Sequence, residues 1–346
     1  MEAWQRQLAA AIIEPAAVAA RFGVDARPLQ EVTARYPFRI TPHYLSLIEA
    51  PDDPIWRQCM PDPRELHDDR QNPDPLNEES LSPVPGLIHR YPDRVVLLVS
   101  NSCAVYCRFC MRKRQVGCGC RQTDLAAALA YIAATPAIRD VTLSGGDPLL
   151  VPDDELADLL TRLRAIPHVE MIRIGSRVPV TLPSRITPKL CRLLKRFHPL
   201  YVNTHFNHPR ELTPQAATAC GRLADAGIPL GNQTVLLKGV NDDPDVMKRL
   251  VQGLLAIRVR PYYLHQIDLV RGTGHFRTSV RRGLKVMEGL RGHTSGLAIP
   301  YYVIDLPGGK GKVPLLPDNG EWRGDTLLLR NYRGEIIEYE DSDSGI

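Results

Sequence analysis

The chain has no apolar stretch approaching the roughly 18 residues that a membrane span needs. It also has no strong excess of one charge. Its 43 Lys and Arg against 39 Asp and Glu leave a net +4, and the basic residues are scattered rather than run together. That excludes the basic patch of a nucleic-acid binder. The opening MEAWQRQLAAAII lacks the basic start and cleavage pattern of a signal peptide, and reads as an amphipathic helix carrying Glu2, Arg6 and Gln7. The cytoplasm is the expected compartment, with neither a membrane nor a nucleic acid as partner. Cysteine is absent beyond Cys220. What remains is an ordinary globular composition, 44% hydrophobic and 24% charged over 346 residues. That is enough for one large α/β domain with additions or for two smaller domains.

The eight cysteines are unevenly placed. Residues 101–114 read NSCAVYCRFCMRKR, a C-x3-C-x2-C array of Cys103, Cys107 and Cys110. Cys118 and Cys120 follow closely, while Cys59, Cys191 and Cys220 stand alone. In a long chain without a secretory signal, clustered cysteines bind metal more often than they form disulfides. A structural zinc site or an ordinary iron–sulfur cluster wants four protein ligands. Three thiolates can hold three irons of a [4Fe–4S] cluster and leave the fourth iron open, and catalysis requires such an open position. A zinc knuckle completed by a distant Cys or His is the alternative. Cys118 and Cys120 read as bystanders on a glycine-containing loop.

The first 85 or so residues combine helical patches (AWQRQLAAAII, PLQEVTARY, TPHYLSLIE) with a proline- and acid-rich stretch, which reads as an irregular wrapping segment. From about residue 94 short β-like runs alternate with helix-like ones. The β-like runs are RVVLLVS (94–100), DVTLSGG (140–146), MIRIGS (171–176), LYVNTHF (200–206), LGNQTVLL (230–237) and PYYLHQID (261–268). Six strand–helix units precede a further run, YYVIDL, so a partial parallel barrel or an open sheet is expected. The expected organisation is a helical wrapping segment over 1–85, the barrel over 86–297, and a C-terminal segment over 298–346 ending in an acidic tail, DSDSGI, expected to be mobile. In either architecture chemistry collects at the carboxyl ends of strands. The cysteines follow the first strand, SGGDP the second, GSR the third and THFNH the fourth; NQT lies in the fifth, and the sixth ends at Asp268.

The cysteine array, placed after a first strand, resembles the radical S-adenosylmethionine (SAM) superfamily. The resemblance implies a partial (βα)6 TIM-type barrel, a [4Fe–4S] cluster on Cys103, Cys107 and Cys110, and SAM bound at the open iron. SGGDP, Ser144 to Pro148, resembles that superfamily's glycine-rich turn for the SAM amine. Residues 305–316, DLPGGKGKVPLL, resemble the PGG-x-GK signature of the lysine 2,3-aminomutase family, whose last lysine carries pyridoxal 5′-phosphate (PLP) as a Schiff base. That alignment selects Lys312 rather than Lys310, which stands where the family commonly has glycine. RITPHYLSLI, SPVPGLIHRYPDRVVLLVS, LKGVND and HFRTSVRRGLKVMEGLRGHTSG also look like family segments.

Carried over residue by residue, the resemblance implies an isomerase that moves the amino group of L-lysine from C2 to C3. Arg90 and Arg94 match arginines of the PLP phosphate, and Arg112 the arginine of the substrate carboxylate. Ser144, Gly145, Gly146, Asp147, His205, Gln233 and Arg177 match the SAM site. Asp268 and Asp305 match the pair that binds the lysine ε-ammonium, where a glutamate substrate would meet repulsion. An electron donor such as flavodoxin or ferredoxin and a homo-oligomer are further expectations. The lack of cysteine after Cys220 argues against the C-terminal zinc site of the well-known lysine enzymes. The alternatives are a glutamate 2,3-aminomutase, an enzyme making (R)-β-lysine for elongation factor P, and an iron–sulfur electron carrier.

Overall fold

RVVLLVS is apolar on both faces, the mark of a parallel strand covered on both sides. In a computed structural model of the chain, which describes residues 2–68, 71–117, 123–317, 320–324 and 326–340, it forms β2 (Arg94–Ser100). Val95, Leu97 and Val99 are buried against the helical layer, and the alternate residues are half-buried on the barrel interior. Five further parallel strands follow the expected runs: β3 (Asp140–Gly145), β4 (Met171–Gly175), β5 (Leu200–Thr204), β6 (Leu230–Leu236) and β7 (Arg260–Gln266). YYVIDL supplies a seventh, β8 (Tyr301–Asp305). Each link carries a helix, from Leu125–Ala133 after β2 to Val280–Leu290 after β7. The helix starts were legible because Asp124, Thr187, Thr213, Asp243 and Ser279 each accept a backbone N–H of the first turn. Pro at the first helical position follows three of those caps.

Two antiparallel strands border this sheet: β1 (Leu87–Tyr91) pairs β2, and β9 (Lys312–Pro314) pairs β8. The nine strands run in chain order, so the sheet is an open barrel with β1 and β9 at its edges. A separate antiparallel sheet, β10 (Gly320–Arg323), β11 (Thr326–Arg330) and β12 (Ile336–Glu340), follows. The N-terminal helices do not stand apart. Trp4, Val18, Ile40, Tyr44 and Ile55 belong to the same buried core as Val95, Leu143, Ile172 and Tyr302. No helix among the described residues is long and apolar enough to cross a membrane. Cys118, Cys120 and the DSDSGI tail lie outside the described residues.

Candidate active site

The cysteine loop leaves β2 at Ser100 and is held from outside the barrel. Arg39 Nη1 donates to Ser102 Oγ (2.9 Å) and to the Cys103 carbonyl (3.3 Å). The Gln58 carbonyl accepts the Arg108 N–H. Arg108 forks onto Glu65 at 2.9 and 2.5 Å, and Lys113 Nζ joins the same carboxylate at 2.5 Å. Burial pushes the Cys110 thiol up to about 11; burial and the Asp147 carboxylate push Cys103 well above its ordinary value. Among the described residues no three His, Cys, Asp or Glu side chains converge tightly enough for a single metal ion. Thiols that serve separate irons of a cubane have no need to converge on one point.

SGGDP packs directly on this loop. The amides of Gly146 and Asp147 donate to the carbonyls of Ser100 and Ser102 at 2.5 and 2.8 Å. A Cβ on Gly146 would come within 2.5 Å of the Ser102 carbonyl, so only glycine permits the approach. His205, after β5, lies 5.4 Å from the Phe109 ring, stacked at 29°, and its buried Nε2 has no partner among the described residues. Burial and the Arg177 charge hold its imidazole well below the ordinary value, hence neutral. Gln233 lies half-buried on β6, in the same inward alternation.

Two residues assigned to SAM by resemblance are committed elsewhere. Asp147 accepts from Ser176 Oγ and Leu149 N through one oxygen and from Arg177 N and Val178 N through the other, so it staples the end of β3 to the end of β4. The buried Arg177 guanidinium bonds to Cys107 and to a protein cage described below.

The lysine turn faces the other side of the interior. Pairing of β8 with β9 sets Lys312 opposite Asp305, and Lys312 Nζ donates to Asp305 Oδ2 at 2.5 Å. His265 Nδ1 lies 3.2 Å from that oxygen and 3.4 Å from Nζ. Nζ stands 5.1 Å over the Tyr263 ring, whereas Lys310 is exposed. Gly309 takes φ +72°, and a Cβ there would strike Leu81 and the Leu76 carbonyl, so the turn closes on the wrapping segment. Arg90 Nη1 lies 3.5 Å from Asp305 Oδ1, and its buried Nε is unpartnered among the described residues. Arg94 opens β2 and stacks on Tyr91 at 3.8 Å, reaching toward the Gly311 turn through that ring.

Arg112 carries its guanidinium on Glu78, through Nε (3.0 Å) and Nη2 (2.7 Å), with Nη1 on Ser144 Oγ (3.0 Å). Its charge and that of Asp268 feel each other. Asp268 is pushed up to about 7 by burial and by the Asp305 charge. For Asp305 burial acts in the same direction, but the His265 bond and the Lys312 charge outweigh it and hold the carboxyl well below the usual range. Two carboxyls with separated pKa values thus feel the charge of one amine, which Asp305 holds directly. An incoming ammonium is what would allow Asp268 to ionise.

That gives a pH prediction. Asp268 titrates at about 7 with the Lys312 ammonium beside Asp305 and higher without that charge, so kcat/KM for a cationic substrate should rise with pH from about 7 upward, and Asp268→Asn should remove this limb. The linkage sign is opposite for the fold: a raised carboxyl stabilises at low pH, and that contribution is lost as pH rises through about 7. A limb that survives in Asp268→Asn assigns the titration to another group.

Sequence reasoning missed Glu78, Glu65 and His265. The period of two along PYYLHQID puts His265 on the face of Tyr263 and could have found it. Glu65 is marked locally only as the capping-box partner of Asp62, and nothing local marks its ion pairs or Glu78, because the arginines they hold lie 43 and 34 residues away.

The open barrel with three loop cysteines defines a radical SAM enzyme, and residues 97–251 match the profile of the radical SAM superfamily. Residues 287–346 match that of lysine-2,3-aminomutase. The chain is 54% identical over 312 residues to the L-lysine 2,3-aminomutase of Fusobacterium nucleatum, covering 88% of this chain and 73% of that one. It is 54% identical over 317 residues to that of Acetoanaerobium sticklandii, covering 88% and 75%. The glutamate 2,3-aminomutase of Clostridioides difficile is 47% identical over 323 residues, covering 90% and 76%. The chain belongs to the lysine 2,3-aminomutase family, and it is an isomerase that uses a [4Fe–4S] cluster and SAM.

The residues present fit those groups. Three cysteines would leave one iron open, and His205 Nε2, without a partner among the described residues, offers a buried polar contact beside the loop. The orphaned Arg90 Nε, next to the lysine turn, suits a phosphate oxygen.

Proposed function

We propose that this chain is an L-lysine 2,3-aminomutase, converting L-α-lysine to β-lysine with PLP as third cofactor. The observation that carries the reading is Asp305 holding a primary amine, Lys312 Nζ, at 2.5 Å, with the buried Asp268 near enough to feel the charges of both. Lys312 carries PLP, and in doing so vacates the carboxylates for the ε-ammonium of the substrate. Arg90 and Arg94 hold the phosphate. Arg112, fixed on its inner edge by Glu78, turns its remaining N–H groups to the substrate carboxylate. Ser144, Gly145, Gly146, His205 and Gln233 bind SAM. When bound, PLP supplies delocalisation of an unpaired electron, and the cluster with SAM supplies the radical that removes hydrogen from the substrate. The protein's share is to hold the reacting atoms in line and exclude water.

The proposal includes the cytoplasm as compartment, flavodoxin or ferredoxin as electron donor, and a homo-oligomer. Exposed Trp322, Ile336 and Ile337 on the C-terminal sheet favour self-association. A glutamate substrate would bring a third carboxylate against Asp268 and Asp305. The test is an anaerobic assay with PLP, SAM, a reductant and either L-lysine or L-glutamate, with α- and β-amino acids separated by chromatography. β-Lysine at catalytic turnover is expected; β-glutamate from the parallel tube would overturn the pocket assignment. Asp268→Ala and Asp305→Ala should each lower lysine turnover about 200- to 4,000-fold, the equivalent of the roughly 3–5 kcal/mol lost when one partner of a buried ion pair is removed.

A further inference from the structure

Arg177 follows β4 and is buried, yet its Nη1 lies 2.7 Å from Cys107 Sγ. The rest of its guanidinium is caged. Nη2 lies 2.9 Å from Tyr44 Oη, 2.6 Å from Gln58 Oε1 and 2.7 Å from Glu211 Oε1, and Nε donates to the His205 carbonyl at 3.2 Å. Glu211 is fixed in turn by Tyr44 Oη at 2.7 Å and by the amides of Asn207 and His208 at 2.6 and 2.9 Å. The guanidinium stands 5.2 Å over both the Tyr44 and the Phe109 ring. This cation cannot rearrange when the state of the sulfur changes, and it is shielded from water.

We propose that Arg177 is a positioning residue that sets the reduction potential of the cluster through its N–H···S bond to Cys107. The proposal rests on the assignment of Cys103, Cys107 and Cys110 as cluster ligands. Reduction adds one electron to the cluster from an external one-electron donor, with no proton transferred and no bond broken. A fixed cation that donates to a ligand sulfur stabilises the more negative state, and does so strongly where the dielectric is low. Arg177 therefore makes the cluster easier to reduce. Glu211 opposes it, and the balance of the two sets the value. Through Tyr44 and Gln58 the N-terminal helices take part in that balance.

The experiment is an anaerobic dithionite titration of the reconstituted full chain, without SAM or substrate, read by electron paramagnetic resonance. Arg177→Gln/Glu211→Gln is compared with Glu211→Gln, so that no buried carboxylate is left alone. The double variant should shift the reduction equilibrium at least tenfold toward the oxidised cluster, about 59 mV lower for one electron. Glu211→Gln alone should move the potential up from the wild-type value. Where the double variant loses its native circular dichroism, Arg177→Lys carries the test, with a downward shift expected from the lost fork. A potential within threefold of the reference, at full iron content, overturns the proposal. So does a folded double variant that assembles no cluster, which would make Arg177 a prop for the loop. A wild-type chain that assembles no cluster removes the ligand assignment and the proposal together.

Discussion

Lys312→Ala is expected to abolish both the covalent attachment of PLP and β-lysine formation. Borohydride should fix the cofactor on the wild-type chain at Lys312 and leave nothing fixed on the variant. Lys310, two positions away, cannot replace it. Gly308, Gly309 and Gly311 all take positive φ, and the turn they form leaves Lys310 exposed while β9 carries Lys312 into the interior. Lys310→Ala should therefore keep both properties. The lost amine also unbalances its surroundings. Asp305 keeps the His265 bond and the distant Arg90 but loses its nearest cation. Its depressed pKa should relax upward, and Asp268, already raised by its neighbour, should stay protonated to higher pH. Substrate lysine then meets a site whose charge is wrong as well as one that lacks its cofactor. Peptide mapping of borohydride-treated protein and the β-lysine assay check both effects. PLP fixed at Lys310 in the wild-type chain would move the active-site lysine.

Alanine at Cys103, Cys107 or Cys110, one at a time, is expected to eliminate dithionite-driven release of 5′-deoxyadenosine. A cluster held by three thiolates has none to spare. Cys59, Cys191 and Cys220 are buried in the hydrophobic core, where burial pushes their thiols up, Cys191 to about 11 and Cys220 to about 12. Cys59 Sγ is committed to the carbonyls of Ile55 and Trp56 in its own helix. Iron and sulfide analysis separates loss of the cluster from loss of SAM binding. Full iron content in any of the three variants would mean that a different cysteine serves as ligand.

The parallel strands were legible because each is a short run rich in apolar and β-branched residues, as in RVVLLVS and MIRIG, and the caps and prolines punctuate the helices between. Cys103, Cys107, Cys110 and Lys312 could be proposed from the sequence because each depends on a short spacing within one turn. β1 escaped notice since HRYPDR interrupts the apolar pattern at the hairpin. The charge pairs escaped for a different reason. Glu65 and Glu78 come from a stretch rich in Pro and acid whose local sequence predicts only loop, and their roles exist only once the barrel has closed on them. Arg177 and Asp147 were assigned to a ligand by resemblance, yet their hydrogen bonds are satisfied inside the protein. A motif identifies which residues surround a site and leaves open which of them face inward.

The stretch from Asp74 to Leu81 has a reach out of proportion to its length. The Pro75 carbonyl accepts the Gly308 amide at 2.7 Å, Leu76 and Leu81 back the Gly309 bend, and Glu78 grips Arg112 beside the cysteine loop. Eight residues thus tie the Lys312 turn to the cysteine loop. Mutational drift there answers to two chemistries at once. A one-residue deletion between Pro75 and Glu78 would put the two out of step, producing an enzyme that still fires its radical but no longer has an amino group held in its path.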